Sequence, residues 1–314
     1  MHKDRILVVG AGGQIGSVLT EALRLRYGAD RVIATDIRPL HDPSGPSAIL
    51  DALDRAALDA ACAQYNVTQI YHLAAILSAT GEKDPMRAWD INMNGLFNVL
   101  EIARLRQLDK VYFPSSIAVF GSNARHDGTP QNENLTPETV YGISKAAGEN
   151  WCNYYHKRYG LDVRSLRYPG IVGYQSPPGG GTTDYAVDIY HYAVADKPYV
   201  CFLKPDARLP MMYMDDAIRA TIEIMEAPAE QIRIRTSYNI SAISFTPAEI
   251  AASIQRLRPG FRVDYAPDFR QQIAESWPAR IDDSAARADW GWNHRFDLDA
   301  MTDDMLAHLG DGGK

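Results

Sequence analysis

The chain has 314 residues, of which 46% are hydrophobic and 23% charged, and its formal net charge at pH 7 is -7. This composition is typical of a soluble globular protein, and the acidic balance argues against nucleic acid or an anionic membrane as a partner. No apolar run approaches the ~18 residues of a membrane-spanning helix, and the first residues lead into an apolar strand without a signal-peptide core. The three cysteines, Cys62, Cys152 and Cys201, form neither a CxxC pair nor a zinc-binding pattern, so we expect a reduced, cytoplasmic protein with no metal site.

A short apolar run at residues 6–9 is followed by a glycine-rich turn and then by apolar residues at helical spacing. A continuous apolar run suits a strand that is covered on both faces of a parallel sheet. Glycines between a strand and a helix let the backbone approach a pyrophosphate, whose charge the helix N-terminus attracts. We therefore expect the turn to bind a dinucleotide through Gly10, Gly13, Gln14, Ile15 and Gly16.

The second predicted strand, residues 31–35, ends in Asp36, which lies 20 residues after Gly16. A carboxylate at this place holds the adenine ribose hydroxyls and repels a 2′-phosphate, so NAD is favoured over NADP. Arg38 is a cation that would pair with the 2′-phosphate of NADP, so the choice between NAD and NADP stays open. The Gly-x-x-Gly-x-x-Gly spacing resembles that of the short-chain dehydrogenase/reductase superfamily, which implies that Ile37 and Arg38 also lie at the cofactor.

Asp51 follows a loop rich in Pro, Ser and Gly. It resembles the acid that meets the adenine amino group in extended short-chain dehydrogenases, which implies that Leu53 lies at the cofactor too. The alternative is that Asp51 caps the helix that starts near Arg55.

A further buried strand is predicted from residue 69, and small residues follow it. Small side chains let the backbone approach a flat ligand, so we expect Leu73, Ala74 and Ala75 to contact the cofactor. His72 has no acid or second histidine nearby in the sequence, and we expect it to be a core histidine with satisfied hydrogen bonds.

Two polar residues follow this strand. Ser78 lies in a loop at the carboxyl end of the strand, where open α/β sheets bind ligands, so it is a candidate substrate contact or else an ordinary loop residue. Asn92 lies on the next predicted helix. The superfamily resemblance implies that it supports the active-site backbone and binds at the cofactor site; the alternative is an exposed side chain.

The predicted strand at 110–116 ends in Ser115 and Ser116, and a helix is predicted to carry Tyr141 and Lys145 four positions apart, on one face. A nearby cation favours phenolate over phenol, so we expect Lys145 to lower the pKa of Tyr141. The Ser116 hydroxyl is placed to hold the oxygen being oxidised or reduced, with Ser115 as the alternative. The segment resembles the Ser-Ser-x-x-Val-Tyr-Gly of extended short-chain dehydrogenases, with Phe120 in place of the tyrosine.

The helix that carries Tyr141 has a broad apolar face, with Ile143, Trp151 and Tyr154 among its residues. One interpretation is ordinary core packing. The family resemblance implies instead that this helix and the one near residues 88–106 build a homodimer interface.

The second half of the chain begins with the predicted strand 164–168, followed directly by Pro169 and Gly170. Nucleotide-sugar epimerases often have an asparagine here, so this departure argues against that activity. The superfamily resemblance implies that Tyr168 and Ile171 contact the cofactor. A loop with three glycines then leads to Thr182 and Thr183 at a predicted helix start, which suits a substrate carboxylate or is an ordinary threonine cap.

Five segments together resemble the short-chain-type L-threonine 3-dehydrogenases: residues 115–121, 139–145, 166–171, 178–187 and 209–217. The resemblance implies oxidation of L-threonine to 2-amino-3-oxobutyrate with NAD, with Tyr141 as base and Lys145 also at the nicotinamide ribose. It also implies that Ser78 and Thr182 or Thr183 hold the amino-acid end of the substrate. Trp277 either closes over the substrate or packs within the protein.

The predicted fold class is α/β, with a Rossmann-type doubly wound parallel sheet and a smaller α/β C-terminal substrate lobe. We expect residues 1–170 to form the NAD-binding domain, with 211–243 returning to it, and 171–314 to form mainly the substrate lobe. Two alternatives remain at this point: an NAD-dependent nucleotide-sugar epimerase or dehydratase, and a dinucleotide-sensing protein without catalysis.

Overall fold

The computed structural model describes residues 4–40, 44–179 and 181–310. The chain forms two compact units: the first is drawn from residues 1–116, 139–167 and 218–238, and the second from residues 117–138, 168–217 and 239–314. The assignment of cofactor binding to one lobe and substrate binding to the other stays a prediction. None of the helices in the described ranges is long and apolar enough to cross a membrane.

The strands of the described residues, in chain order, are β1 Ile6–Val9, β2 Val32–Asp36, β3 Ser47–Ile49, β4 Gln69–His72, β5 Lys110–Ser116, β6 Val163–Tyr168, β7 Gly170–Val172, β8 Tyr199–Cys201, β9 Leu209–Tyr213, β10 Tyr238–Asn239, β11 Ile243–Phe245 and β12 Val263–Tyr265. The α-helices are α1 Gln14–Tyr27, α2 Arg55–Gln64, α3 Ser78–Gly81, α4 Pro85–Arg106, α5 Val140–Tyr159, α6 Tyr185–Val194, α7 Met214–Glu226, α8 Pro247–Leu257, α9 Arg270–Glu275, α10 Ser284–Trp290 and α11 Leu298–Gly310.

Seven strands form the largest sheet, in the order β10-β6-β5-β4-β1-β2-β3. Strand β1 pairs in parallel with both β2 and β4, and the pairs β2–β3 and β4–β5 are also parallel. The chain runs outward from β1 in one direction through β3 and then returns to build β4 on the other side. This reversal is the switch point at which doubly wound sheets bind ligands, so the predicted Rossmann-type fold class is confirmed.

The sheet is buried where the sequence is continuously apolar. Every residue of β1 and of β4 is buried, because helices cover both faces of a doubly wound sheet. The core of this unit includes Leu7 and Ile33 from the strands and Leu96 and Leu100 from α4. These apolar layers fix the strand ends that build the site.

The second unit contains two smaller sheets, β11-β9-β7 and β12-β8. Strand β7 runs parallel to β9, whereas β11 is antiparallel to it. Helix α8 begins with a complete capping box, in which Thr246 and Glu249 each bond to the other's backbone N–H, and Pro247 occupies the first helical turn.

Candidate active site

The glycine turn between β1 and α1 is packed so closely that it admits only glycine at two positions. Gly10 has a φ of +91°, and a Cβ atom there would lie 2.5 Å from the backbone nitrogen of Ala74. A Cβ at Gly16 would lie 2.2 Å from the carbonyl oxygen of Gly10. Gly13 is the N-cap of α1, and no side chain of the described residues caps it. The free N–H groups of this first turn therefore fit a pyrophosphate.

A cavity of about 1170 Å³ opens beside this turn, at the carboxyl ends of β1, β2 and β4. Its volume exceeds the range of ~300–1,000 Å³ of ordinary small-molecule pockets, which leaves room for a large ligand such as a dinucleotide. The predicted cofactor residues that line it are Gly10, Gly13, Asp36, Ile37, Arg38, Asp51, Leu53, Leu73, Ala74 and Ala75. Gln14, Ile15 and Gly16 belong to the same turn or to the start of α1, whereas Tyr168 and Ile171 belong to the second unit.

The Asp36 carboxylate is held at the rim of this cavity by two backbone donors. Its oxygens accept hydrogen bonds from Gly12 N at 3.0 Å and Arg38 N at 3.2 Å. A fixed negative charge at this place favours ribose hydroxyls over a phosphate. The residues therefore fit the adenosine half of NAD.

Arg24 also lines the cavity, and the motifs did not indicate it. Its side chain is 8% exposed and donates to the carbonyl oxygen of Pro46 at 2.9 Å and to Ser44 Oγ at 3.2 Å. The positions that follow Gly13 at helical spacing are Ser17, Thr20 and Arg24. The periodicity of α1 therefore predicts that Arg24 lies on the same helix face as Gly13.

The alternative role of Asp51 as a helix cap is wrong. The N-cap of α2 is Asp54, whose carboxylate accepts from Ala57 N at 2.9 Å. Asp51 instead accepts from Leu53 N at 2.9 Å, which shapes the turn at the cavity wall. The helix itself starts at Arg55, where the sequence predicted it.

His72 is buried at 2% exposure, but it is not the satisfied histidine that the sequence predicted. Its Nδ1 atom has no hydrogen-bond partner among the residues that the structure describes. Burial lowers the pKa of His72 to about 3, and the charge of Lys145 lowers it further in the same direction. The imidazole is therefore neutral near pH 7.

Asn92 is 5% exposed, so the alternative of an exposed side chain is wrong. Its Oδ1 accepts from Ile76 N at 2.8 Å, and its Nδ2 donates to Ile76 O and to Ser144 Oγ, both at 3.1 Å. Ser144 in turn donates to the carbonyl oxygen of Tyr141 at 2.7 Å. Since Ile76 lines the cavity, Asn92 ties the cavity wall to the first turn of α5.

Tyr141, Lys145 and Ser116 lie together where α5 begins and β5 ends. Thr139 caps α5 by accepting from Gly142 N. Lys145 Nζ lies 5.5 Å from the ring centroid of Tyr141 and donates to the carbonyl oxygen of Pro114 at 2.7 Å. The Ser116 hydroxyl bonds to the Tyr141 oxygen. Ser115, the alternative, bonds instead to Glu149.

The pKa of Tyr141 is raised and not lowered, contrary to the expectation from its spacing to Lys145. Burial raises the pKa of Tyr141 to about 12, and the hydrogen bond with Ser116 offsets only part of this rise. Burial also lowers the pKa of Lys145 to about 8. The desolvation of the tyrosine, which sequence spacing does not show, sets the direction of this shift.

Ser78 is the first residue of the short helix α3 and is buried. The sequence predicted a loop here. A four-residue helix is too short to show a period in the sequence.

Three candidate substrate residues lie in the second unit. Thr182 is 1% exposed, and its hydroxyl has no hydrogen-bond partner in the described parts of the chain. Helix α6 begins later than predicted, at Tyr185, with Asp184 as N-cap, so the threonine-cap alternative is wrong. Thr183 is half-buried, Trp277 is buried, and Gly180 of the loop lies outside the described residues.

Gly170 has a packing reason to be glycine. A Cβ there would lie 2.4 Å from Met211 Sδ and 2.7 Å from Thr183 Cγ2. A side chain at position 170, such as that of asparagine, would fit only if Met211 and Thr183 moved.

Within residues 4–40, 44–179 and 181–310, no three or more His, Cys, Asp or Glu side chains are arranged to hold a metal ion. The described residues bring a tyrosine, a lysine and a serine together. Tyr141, Lys145 and Ser116 do not line the cavity themselves, and Asn92 links the start of their helix to the cavity wall.

Comparison with known proteins assigns the class. The profile of the NAD dependent epimerase/dehydratase family matches residues 6–241, and the chain belongs to this family. NAD is the cofactor of this chain, as the sequence motifs predicted.

Several relatives of the chain are named after one reaction. The chain is 48% identical over 308 residues to the mitochondrial L-threonine 3-dehydrogenase of Bos taurus, covering 97% of this chain and 82% of that protein. It is 56% identical to a GalE-like L-threonine dehydrogenase from Cupriavidus necator in its holo form, with a TM-score of 0.96 over 97% of this chain and 99% of that one. A monomeric L-threonine 3-dehydrogenase from a metagenome is 45% identical, with a TM-score of 0.94 over 98% and 99%. The resemblance drawn from the sequence motifs is thus confirmed.

Proposed function

We propose that the protein is an NAD-dependent L-threonine 3-dehydrogenase, which oxidises the 3-hydroxyl of L-threonine to give 2-amino-3-oxobutyrate and NADH. The observation that carries the proposal is the Tyr141–Ser116–Lys145 set, in a chain about half identical to enzymes named for this reaction. The glycine turn and Asp36 line a separate cavity for the adenosine half of NAD, and Asn92 links its wall to the helix of Tyr141. NAD, when bound, supplies the acceptor for the hydride that leaves carbon 3.

The residues of the first unit have separate tasks in this proposal. The glycine turn and the start of α1 hold the pyrophosphate, and Asp36 holds the adenine ribose. Tyr141 takes the hydroxyl proton of the substrate as the general base, while Ser116 orients the reacting oxygen. Lys145 holds the nicotinamide ribose through its Nζ.

The amino-acid end of the substrate requires polar groups. We assign this task to Ser78, Thr182 and Thr183, with Trp277 closing over the substrate. The buried Thr182 hydroxyl, which has no partner in the described residues, supports this assignment because such a group costs free energy unless a ligand or water bonds to it.

The test is a comparison of substrates with the purified protein and NAD. L-threonine is expected to produce reduced cofactor, whereas UDP-glucose and UDP-galactose are expected to give neither reduced cofactor nor epimerised sugar. Tyr141→Phe is expected to abolish the threonine reaction, and Tyr159→Phe, an exposed tyrosine at the end of the same helix, is the matched control. Epimerisation without threonine oxidation would establish the alternative enzyme activity. Threonine oxidation that persists in Tyr141→Phe would show that Tyr141 is not the general base.

We also propose a homodimer that forms through α4 and α5. Trp89 on α4 and Ile143, Trp151 and Tyr154 on α5 are 37%, 46%, 40% and 47% exposed, so these apolar side chains are not the core of this chain. Exposed aromatic clusters of this kind mark interaction surfaces. Light scattering tests the mass: a dimer that becomes a monomer in Trp151→Glu supports the interface, and a monomeric wild type overturns it.

A reduced, cytoplasmic setting completes the proposal. Cys62, Cys152 and Cys201 are all buried as free thiols. Fluorescent-fusion imaging or fractionation of cells that express the protein tests the location, and recovery outside the cytoplasm would contradict it.

A further inference from the structure

Three side chains of α5, one helical turn apart, bind three consecutive residues at the end of β5. Tyr141 bonds to Ser116, Lys145 Nζ donates to Pro114 O at 2.7 Å, and Glu149 Oε1 accepts from Ser115 Oγ at 2.6 Å. Positions i, i+4 and i+8 share one helix face, so this row joins the helix to the strand end at three points. The role proposed for Tyr141 and Lys145 does not use the third member, Glu149.

Glu149 is fully buried and forms an ion pair with Arg167. Arg167 of β6 donates through Nε to Oε1 at 2.9 Å and through Nη2 to Oε2 at 2.7 Å, and its side chain is itself only 4% exposed. A buried carboxylate held by a guanidinium fork and a hydroxyl has a fixed position and a fixed charge. Hydrophobic residues of similar volume often stabilise a fold as well as a buried ion pair does, so stability alone does not explain this pair.

The charge of Glu149 acts on Lys145, one turn away. Burial lowers the pKa of Lys145, whereas Cys152 and Glu149 act to raise it. The Cys152 thiol is itself buried, which raises its pKa far above the ordinary value, so it carries no charge near pH 8. The other titratable groups that face Lys145 are Tyr141 on its own helix and the neutral His72 on β4.

We propose that Glu149 is a positioning residue of the active site, which keeps the Lys145 ammonium charged and holds Ser115, and with it the neighbouring Ser116, in place. The role of the site in catalysis rests on the proposed function, but the charge of Lys145 does not. With the carboxylate in place, Lys145 stays protonated at neutral pH in spite of its burial. Arg167 orients the carboxylate through its two parallel bonds.

The first experiment measures Lys145 directly, without substrate. In protein labelled with [15N]lysine, the Nζ resonance of Lys145 is assigned by its loss in Lys145→Met and is followed as the pH is raised. In Glu149→Gln, which keeps the shape of the side chain, the titration midpoint is expected to fall by about one pH unit, because a negative charge at short range is lost in a buried site. Asp162→Asn is the matched control. Asp162 is also paired with buried Arg164 but belongs to another part of the unit, so its loss is expected to leave the Lys145 midpoint unchanged.

The second experiment measures threonine oxidation against pH. In Glu149→Gln, the rise of kcat/KM with pH is expected to level off about one pH unit lower than in the wild type, while Asp162→Asn keeps the wild-type profile. If the wild type does not oxidise threonine, the proposed function fails, and the resonance titration still decides the role of Glu149.

An unchanged Lys145 midpoint in folded Glu149→Gln overturns the proposal. If Glu149→Gln does not fold, the charge-neutral double variant Glu149→Gln/Arg167→Met replaces it. In that variant the midpoint is expected to fall by less than one unit, and a midpoint equal to that of the wild type overturns the proposal as well.

Discussion

At the scale of single residues, burial decides the chemistry of the site. Tyr141 and Lys145 are each shifted toward the neutral form, because both lose solvation of their charged forms. The cation–phenol pair that the spacing indicated is present, but its attraction does not decide the resting state. Tyr141 is a phenol near neutral pH and must lose its proton before it accepts one from the substrate.

The pH dependence of the rate follows from these two groups. Since the pKa of Tyr141 is about 12, the phenolate fraction grows about tenfold for each pH unit below this value. We expect kcat/KM for L-threonine to rise steeply from pH 7, and the rise to weaken above about pH 8, where Lys145 loses its charge. Initial-rate measurements in buffers of constant ionic strength check this, and a flat profile from pH 7 to 10 would contradict it.

His72 makes the fold sensitive to acid. Its pKa is about 3 in the folded protein against an ordinary value near 6.5, so below pH 6.5 the unfolded chain binds a proton that the folded protein does not. The free energy of unfolding therefore falls with decreasing pH, by up to about 1.4 kcal/mol per pH unit from this residue. His72→Asn is expected to show a shallower loss between pH 6.5 and 4.5 in urea unfolding. The exposed His126→Asn is the control and should lose stability as the wild type does; equal slopes in all three proteins would refute the argument.

We expect Asp36 to set the cofactor preference through its negative charge. Its two backbone hydrogen bonds hold the carboxylate at the cavity rim, so Asp36→Ala removes a repulsion that NADP meets and NAD does not. The ratio of kcat/KM for NAD to that for NADP is expected to fall by about tenfold or more. Asp54→Asn, at a helix cap that does not line the cavity, should leave the ratio unchanged. An unaltered ratio in Asp36→Ala would exclude this role.

At the scale of elements, the sequence predicted the strands and the long helices better than it predicted their ends. Continuous apolar runs identified β1, β4 and β5, and the 3.6-residue period identified α1 and α5. The short helix α3 and the start of α6 at Tyr185 were missed, whereas the start of α2 near Arg55 was predicted. A helix boundary depends on which of several possible residues caps the helix in the folded chain. The spacing of residue types does not decide between these candidates.

The glycine turn is the element on which cofactor binding depends most. In Gly16→Ala the new Cβ would lie 2.2 Å from a backbone oxygen, so the turn must move away from its present path. We expect NADH affinity, measured by fluorescence titration, to fall at least about tenfold. Gly260→Ala is the control, since its Cβ would have no described atom within 4 Å. Wild-type affinity in Gly16→Ala would show that the tight packing is not needed for binding.

At the scale of the whole molecule, sequence patterns predicted the doubly wound fold, the family and the cofactor. They placed ten cofactor candidates on one cavity wall, because the carboxyl ends of parallel strands meet at one edge of a sheet. They did not predict the shifted pKa values, the unpartnered His72 or the Glu149–Arg167 pair, which come from burial and from contacts between residues distant in sequence. The division of cofactor and substrate binding between the two units stays a prediction.

Threonine oxidation requires that one specific bond break. The hydrogen on carbon 3 must leave as a hydride, and in the proposed reaction the hydroxyl proton passes to Tyr141. The most direct test uses L-threonine that carries deuterium on carbon 3, with mass spectrometry of the reduced cofactor. NADH that contains one deuterium, formed by the wild type and not by Tyr141→Phe, is the predicted result. NADH without deuterium, or no NADH under conditions in which a UDP-sugar is epimerised, would contradict the proposed reaction.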